Sequence, residues 1–143
     1  METLEFSVLI FKDEDGNIAV EKRGGFTRNN EGFAFFGGKL GNGKSAIEGL
    51  KGKLLEELGY VPDDLQYTGD YIFDISEGKY SSNKILYHTY FAKITKKLLG
   101  TNDLVGGEVV LVKIYDAKKH EGFFQGDKDL VNRLSNEGKL VEK

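Results

Sequence analysis

The chain has 143 residues, of which 20 are basic, 23 acidic and none cysteine, with a formal charge of −3. Such a length fits one domain over residues 1–143, able to bury a core without disulfide or thiolate-metal staples. Mixed charge of low net value excludes a long-range field for duplex nucleic acid or an anionic membrane, and no segment reaches the roughly 18 consecutive apolar residues of a membrane helix. A soluble, cytoplasmic protein is the expectation.

Residues 4–23 form the first unit. Apolar residues fill positions 6–11, the turn DEDGN follows, and the apolar pattern resumes over 18–20, so Asp15-Gly16 predicts a hairpin. Residues 33–36 read as a short aromatic strand entering a Gly37-Gly38 turn. The next segment, 45–58, is amphipathic. Ile47, Leu50, Leu54 and Leu58 recur at three- and four-residue steps, which predicts a helix with one apolar face. Ser45 suits its N-cap and Gly59 its C-terminal stop. At roughly 100° per residue, Lys53, Glu56 and Glu57 share the flank of that face, while Glu48 projects about 180° from Glu57. Gly49 and Gly52 in the helix interior each cost about 1 kcal/mol relative to Ala, so a slack helix is expected.

Residues 67–75, 84–94 and 107–115 are β-branched and aromatic enough to be strands, and a second helix is predicted over 127–136. Strands interleaved with two helices describe an α/β or α+β mixed sheet with helices on its faces.

The stretch GGKLGNGKSAIEGLKGKLLEELGY, residues 37–60, resembles the Nudix box: a Gly, five residues, a Glu, seven residues, then Arg-Glu-apolar-x-Glu-Glu-x-Gly-apolar. Gly38, Leu54, Glu56, Glu57, Gly59 and Tyr60 fall on this pattern, whereas Lys44, Gly52 and Lys53 stand for the first Glu, the Arg and the second Glu. The resemblance implies a Nudix-type α/β/α sandwich with a mixed β-sheet. It also implies Mg²⁺- or Mn²⁺-dependent hydrolysis of a nucleoside triphosphate or other nucleoside diphosphate derivative, with Glu56 and Glu57 as the catalytic, metal-binding pair. A third metal-binding acid is expected from the loop TNDLVGGEVV, either Asp103 or Glu108, and the double Gly before Glu108 favours the latter.

The departures have physical consequences. An ammonium cannot ligate a cation, and Lys53 lies three residues before Glu56 and four before Glu57, within pairing reach of both. The family's ion pair between the first Glu and the Arg, which holds the loop onto the helix, is lost on both sides at Lys44 and Gly52, leaving no uncompensated charge. Two functional readings follow. One is a divergent hydrolase of nucleotide-type small molecules with impaired activity; the other is an inactive Nudix-fold protein that binds nucleotides or regulates.

For substrate binding, Arg23, Arg28 and Lys39 stand near Phe26, Phe33 and Phe35. Arginine can clamp phosphate oxygens and a ring can stack on a base, so Arg23 and Arg28 are phosphate candidates and Phe26, in a loop, a stacking candidate. Phe33 and Phe35 read as core. Gly37, Gly38 and Lys39 would then hold the phosphate chain. Near the C-terminus, EGFFQGDKDLVNRL resembles the region of MutT-type hydrolases that closes over the purine, which makes Phe124, Gln125 and Asp127 candidate base contacts. The same residues also read as a helix start. His88 and His120 have no organised Ser or Asp partner in the sequence and are expected to be a strand residue and a surface residue.

Overall fold

The computed structural model describes residues 2–22, 32–100, 108–119 and 122–143. Strands β1 (Thr3–Lys12) and β2 (Asn17–Lys22) form the expected hairpin, pairing antiparallel through Phe11 and Ala19. The turn is fastened by the Asp13 carboxylate, which accepts from the N–H groups of Asp15 and Asn17, each at 2.9 Å. Next come β3 (Phe33–Ala34), β4 (Phe36–Lys39), α1 (Ala46–Leu58), β5 (Gln66–Asp74) and β6 (Lys84–Lys93). The chain continues through α2 (Lys96–Leu99), β7 (Glu108–Lys113), α3 (Ile114–Ala117) and α4 (Gln125–Asn136).

The seven strands make one mixed sheet in the order β3-β2-β1-β6-β5, with β4 joined to β1 and β7 joined to β2. Strand β1 runs parallel to β6 along its whole length, and on its other side it changes partner. Phe6 to Leu9 pair with β4, whereas Phe11 and Lys12 pair with β2. Alternation along the strands then sorts side chains into two cores. Leu9, Phe11, Ala19 and Phe36 pack against Leu50, Leu54 and Leu58 of α1 and Leu98 of α2. Val8, Ile10, Ile18, Val20 and Tyr87 pack on the opposite face against α3 and α4, through Ile114, Ala117, Leu130, Val131 and Leu134. The result is an α/β/α sandwich. Among the described residues, no helix is long and apolar enough to cross a membrane.

Several local readings are corrected. The aromatic strand expected over 33–36 divides at Phe35, and Gly37-Gly38 is a strand segment of β4 opposite Val8 and Ser7, not a turn. Gly37 sits at φ +111°, and a Cβ there would run into the Ser7 carbonyl oxygen, so only glycine lets β4 lie this close to β1. The turn comes later, where the Lys44 N–H reaches the Gly41 carbonyl at 3.4 Å. The last strand stops at Lys113 instead of running to 115, because the Ile114 N–H turns to the Gly16 carbonyl at 2.9 Å and its side chain enters the core as α3 begins. Gly107 lies outside the described residues. Helix α2 was not expected; the Thr95 hydroxyl caps it by accepting from the Leu98 N–H at 3.1 Å.

Candidate functional site

Helix α1 is placed by devices that its sequence announces. The Ser45 hydroxyl accepts from the Glu48 N–H at 3.3 Å, and the Glu48 carboxylate returns to Ser45, making a capping box. Gly59 ends the helix at φ +80°, its N–H reaching the Leu55 carbonyl at 3.0 Å. From β1, the Ser7 hydroxyl donates to the Ala46 carbonyl at 2.8 Å, tying the first turn to the sheet. Gly49 is where the loop packs onto the helix, since a Cβ there would strike the Leu40 side chain, while Gly52 faces open space. An apolar contact therefore fastens the loop where the box pattern uses an ion pair. At its loop end the helix thus has both the Ser45 capping box and the Leu40 contact.

The three polar residues on the flank of α1 go separate ways. Glu57 is only 7% exposed, and its Oε1 accepts from the Gly37 N–H at 2.8 Å. Glu56 is exposed. Lys53 lays its stem over Gly38, whose imagined Cβ would stand 3.7 Å from Cε, and its ammonium is 3.8 Å from Glu56 Oε2. With the side chains 45% and 66% exposed, this pair contributes little to stability. Glu48, as expected from its angle on the helix, takes no part.

Glycine-backed strand, capped helix and carboxylate flank are arranged around the partner change of β1. A family model described as NUDIX domain matches residues 1–134. The chain belongs to the Nudix family. Similar solved structures include a MutT protein from Methanosarcina mazei Go1, with a TM-score of 0.69 at 20% identity and 96% of each chain covered. The E. coli ORF135 protein gives 0.62 at 17% identity, covering 99% of this chain and 96% of its own. A NUDIX hydrolase from Nitrosomonas europaea gives 0.65 at 16% identity, covering 99% of this chain and 75% of its own. These likenesses show a shared fold. No curated protein matches.

Nudix hydrolases generally use divalent metal ions, and the donors on this chain fit one poorly. A hard dication takes several oxygen ligands. Here Glu56 faces an ammonium, Glu57 is engaged by a backbone N–H, and among the described residues no group of three His, Cys, Asp or Glu side chains is placed to hold a metal ion. Glu108 opens β7, where alternation puts it on the face of Val110 and Val112, which pack toward the α4 core, whereas α1 covers the other face. Asp103 lies outside the described residues, as do Arg23, Phe26, Arg28 and His120. Lys39 is exposed at the end of β4.

Asp127 sits in the first turn of α4, buried, with Oδ1 accepting from the Tyr87 hydroxyl at 2.9 Å. Burial and the neighbouring Asp127 charge push the Tyr87 phenol well above its ordinary range. The Gln125 amide oxygen accepts from the Ser76 N–H at 2.9 Å, and the Phe124 ring meets Tyr80 edge-on at 5.8 Å. These three belong to the α4 side of the sheet, apart from α1.

Two features escaped the sequence reading. Glu21 of β2 is 2% exposed and in phase with Ala19, so a second carboxylate is buried on the α1 face. A charged residue at an in-phase position of the buried pattern in NIAVEK was the available signal. The other is a clasp on the same face, where His88 of β6 lies between Glu5 of β1 and Asp70 of β5 at 2.8 and 2.9 Å. Both ring nitrogens meet carboxylate oxygens, so both bonds require the imidazolium. Partial burial would lower the His88 pKa, but the hydrogen bonds to Glu5 and Asp70 outweigh it and hold it above its ordinary value. For Asp70, burial acts upward, and bonds from Tyr67 and His88 carry the net shift below the usual carboxylate value.

Proposed function

We propose that this chain works as one Nudix-type domain on a nucleotide-type small molecule, a nucleoside triphosphate or other nucleoside diphosphate derivative, with metal-dependent hydrolysis impaired at Lys53. The observation that carries this reading is the Lys53 ammonium, 3.8 Å from Glu56 at the carboxylate pair where Mg²⁺ or Mn²⁺ would be expected. Like unit charges 4 Å apart repel by about 4 kcal/mol at an effective dielectric near 20, so an ammonium there opposes a dication directly. The ligand's phosphates are assigned to Arg23, Arg28 and Lys39 beside Gly37 and Gly38, base stacking to Phe26, and base-edge contact to Asp127. Of the two candidate third acids, Glu108 opens β7 on the face away from α1, which leaves Asp103 as the candidate. A cytoplasmic setting, with neither a membrane nor a duplex nucleic acid as partner, accords with the mixed surface charge.

A second reading, a catalytically silent nucleotide-binding or regulatory protein, draws on the Glu57 contact. A carboxylate buried against the Gly37 N–H at 2.8 Å serves the architecture whether or not chemistry occurs. Turnover in Mg²⁺ and Mn²⁺ across nucleoside triphosphates, ADP-ribose, dinucleoside polyphosphates and nucleotide sugars separates the two. Slow, metal-dependent hydrolysis lost in Glu57→Gln supports the first reading, because Gln preserves an acceptor for Gly37. No turnover combined with a nucleotide-raised thermal midpoint supports the second; a ligand at a hundred times its dissociation constant adds about 2.7 kcal/mol. Rapid hydrolysis, abolished in Glu57→Gln, would overturn the assigned impairment.

A further inference from the structure

We infer that Lys53 is a tethered cation that takes the place of the divalent metal, so that this site binds the diphosphate of a nucleotide without any metal ion. The inference rests on the nucleotide-binding reading above and adds what holds the charge. Between Gly37 and Tyr60 the chain carries four lysines (Lys39, Lys44, Lys51 and Lys53) against three glutamates (Glu48, Glu56 and Glu57). The family signature at positions 44, 52 and 53 would instead give five acids against three bases, a segment that repels a phosphate unless a dication bridges them.

The acids that remain are largely committed to the protein's own donors. Glu48 is held by Ser45 in the capping box, its Oε1 2.7 Å from the hydroxyl, and Glu57 accepts from the Gly37 N–H at 2.8 Å. Lys53 is differently placed. Its stem crosses Gly38, where the absence of a side chain leaves room for it, and among the described residues its ammonium makes one long contact, to Glu56, with almost half of the side chain open to solvent. A phosphate oxygen offers a charge-assisted hydrogen bond stronger than that 3.8 Å pair. Lys44, whose stem runs beside Gly41, adds a second lysine in the loop that leads from β4 into α1. A covalently fixed ammonium also needs no free metal and loses less entropy on binding than a recruited ion would.

The test is titration calorimetry of the full chain with ADP and with inorganic pyrophosphate, each in EDTA and in excess Mg²⁺. Binding of both probes in EDTA is expected, with affinity changed little by Mg²⁺. Lys53→Gln should weaken it about tenfold, the loss of one charge-assisted contact, while Lys53→Glu should make it depend on Mg²⁺. Circular dichroism melts confirm that both variants fold. Binding by the wild type in Mg²⁺ but not in EDTA would overturn the tethered-cation inference and leave the nucleotide reading standing. Binding in EDTA that Lys53→Gln does not weaken would also overturn it, since the charge would then lie elsewhere. No binding under either condition would sink the nucleotide reading itself, and this inference with it.

Discussion

Two cation-carboxylate groups occupy the same face of the sheet and are built in opposite ways. In the clasp, His88 is 14% exposed and bonded on both ring nitrogens, at 2.8 and 2.9 Å, joining three adjacent strands. Beside α1, Lys53 is 45% exposed and meets Glu56 at 3.8 Å. Cross-strand register sets the first group, since Asp70 lies directly opposite His88 on a rigid sheet. The second hangs from a helix flank on a flexible stem. The clasp has its partners already; the α1 flank has spare charge, as a site awaiting a ligand should.

The largest effect should come from the one member of the α1 flank that is built like the clasp. Glu57→Ala removes a buried, charge-assisted bond to the Gly37 N–H and should cost about 2–3 kcal/mol. Glu56→Ala, on an exposed side chain, should stay within about 0.5 kcal/mol. Urea midpoints measure both. Equal losses would erase the distinction between engaged and spare acids.

Next in size, His88→Gln should cost about 1 kcal/mol, because Glu5 and Asp70 are half exposed and water partly replaces the lost bonds. Its pH dependence identifies the cause. The folded pKa of His88 is raised above 6.5, so its contribution is fully present below that pH and fades as pH rises through the folded value. The Asp70 pKa is lowered below 3.8, so its contribution is present above that pH and fades as pH falls through the folded value. The clasp should thus stabilise most between pH 3.8 and 6.5. Thermal midpoints of wild type and His88→Gln should differ there and converge toward pH 9; a constant difference would mean that His88 acts through packing alone.

What the sequence disclosed follows from which interactions are local. The Ser45 cap, the Gly59 stop and the Leu50, Leu54 and Leu58 face depend on residues within a turn or two, so periodicity and spacing reveal them. Glu57's bond to Gly37 spans 20 positions and depends on Gly37 being in a strand, where a double glycine suggested a turn. The clasp is harder still, because Glu5 and His88 are 83 positions apart and meet only through the parallel pairing of β1 with β6. The expected cost of both helix glycines was half legible, since propensity cannot see that Leu40 occupies the space beside Gly49.

That last point gives a sharper probe of the α1 flank. Gly52 faces open space, so Gly52→Ala should stabilise the protein by up to about 1 kcal/mol through helix propensity. Gly49→Ala drives a methyl into Leu40 and should lose that gain or reverse it. Urea unfolding of the two variants decides whether the helix beneath Lys53 is held by its own propensity or by the loop. A gain at both positions would mean that Leu40 moves aside and pins nothing.

The smallest change in stability belongs to the substitution with the largest expected change in ligand behaviour. Lys53→Glu breaks only the exposed 3.8 Å pair and sets a third carboxylate beside Glu56 and Glu57, so folding stability should shift by no more than about 0.5 kcal/mol. Ion binding should respond strongly, because a repelling ammonium is exchanged for an oxygen ligand. Calorimetric titration with Mn²⁺ should show tighter binding to the variant than to the wild type. A residue whose charge governs ligand choice while hardly touching stability is spare in the sense that His88 is not. If Mn²⁺ binds both proteins equally, Lys53 does not control the ion, and the contrast between the two groups is one of exposure alone.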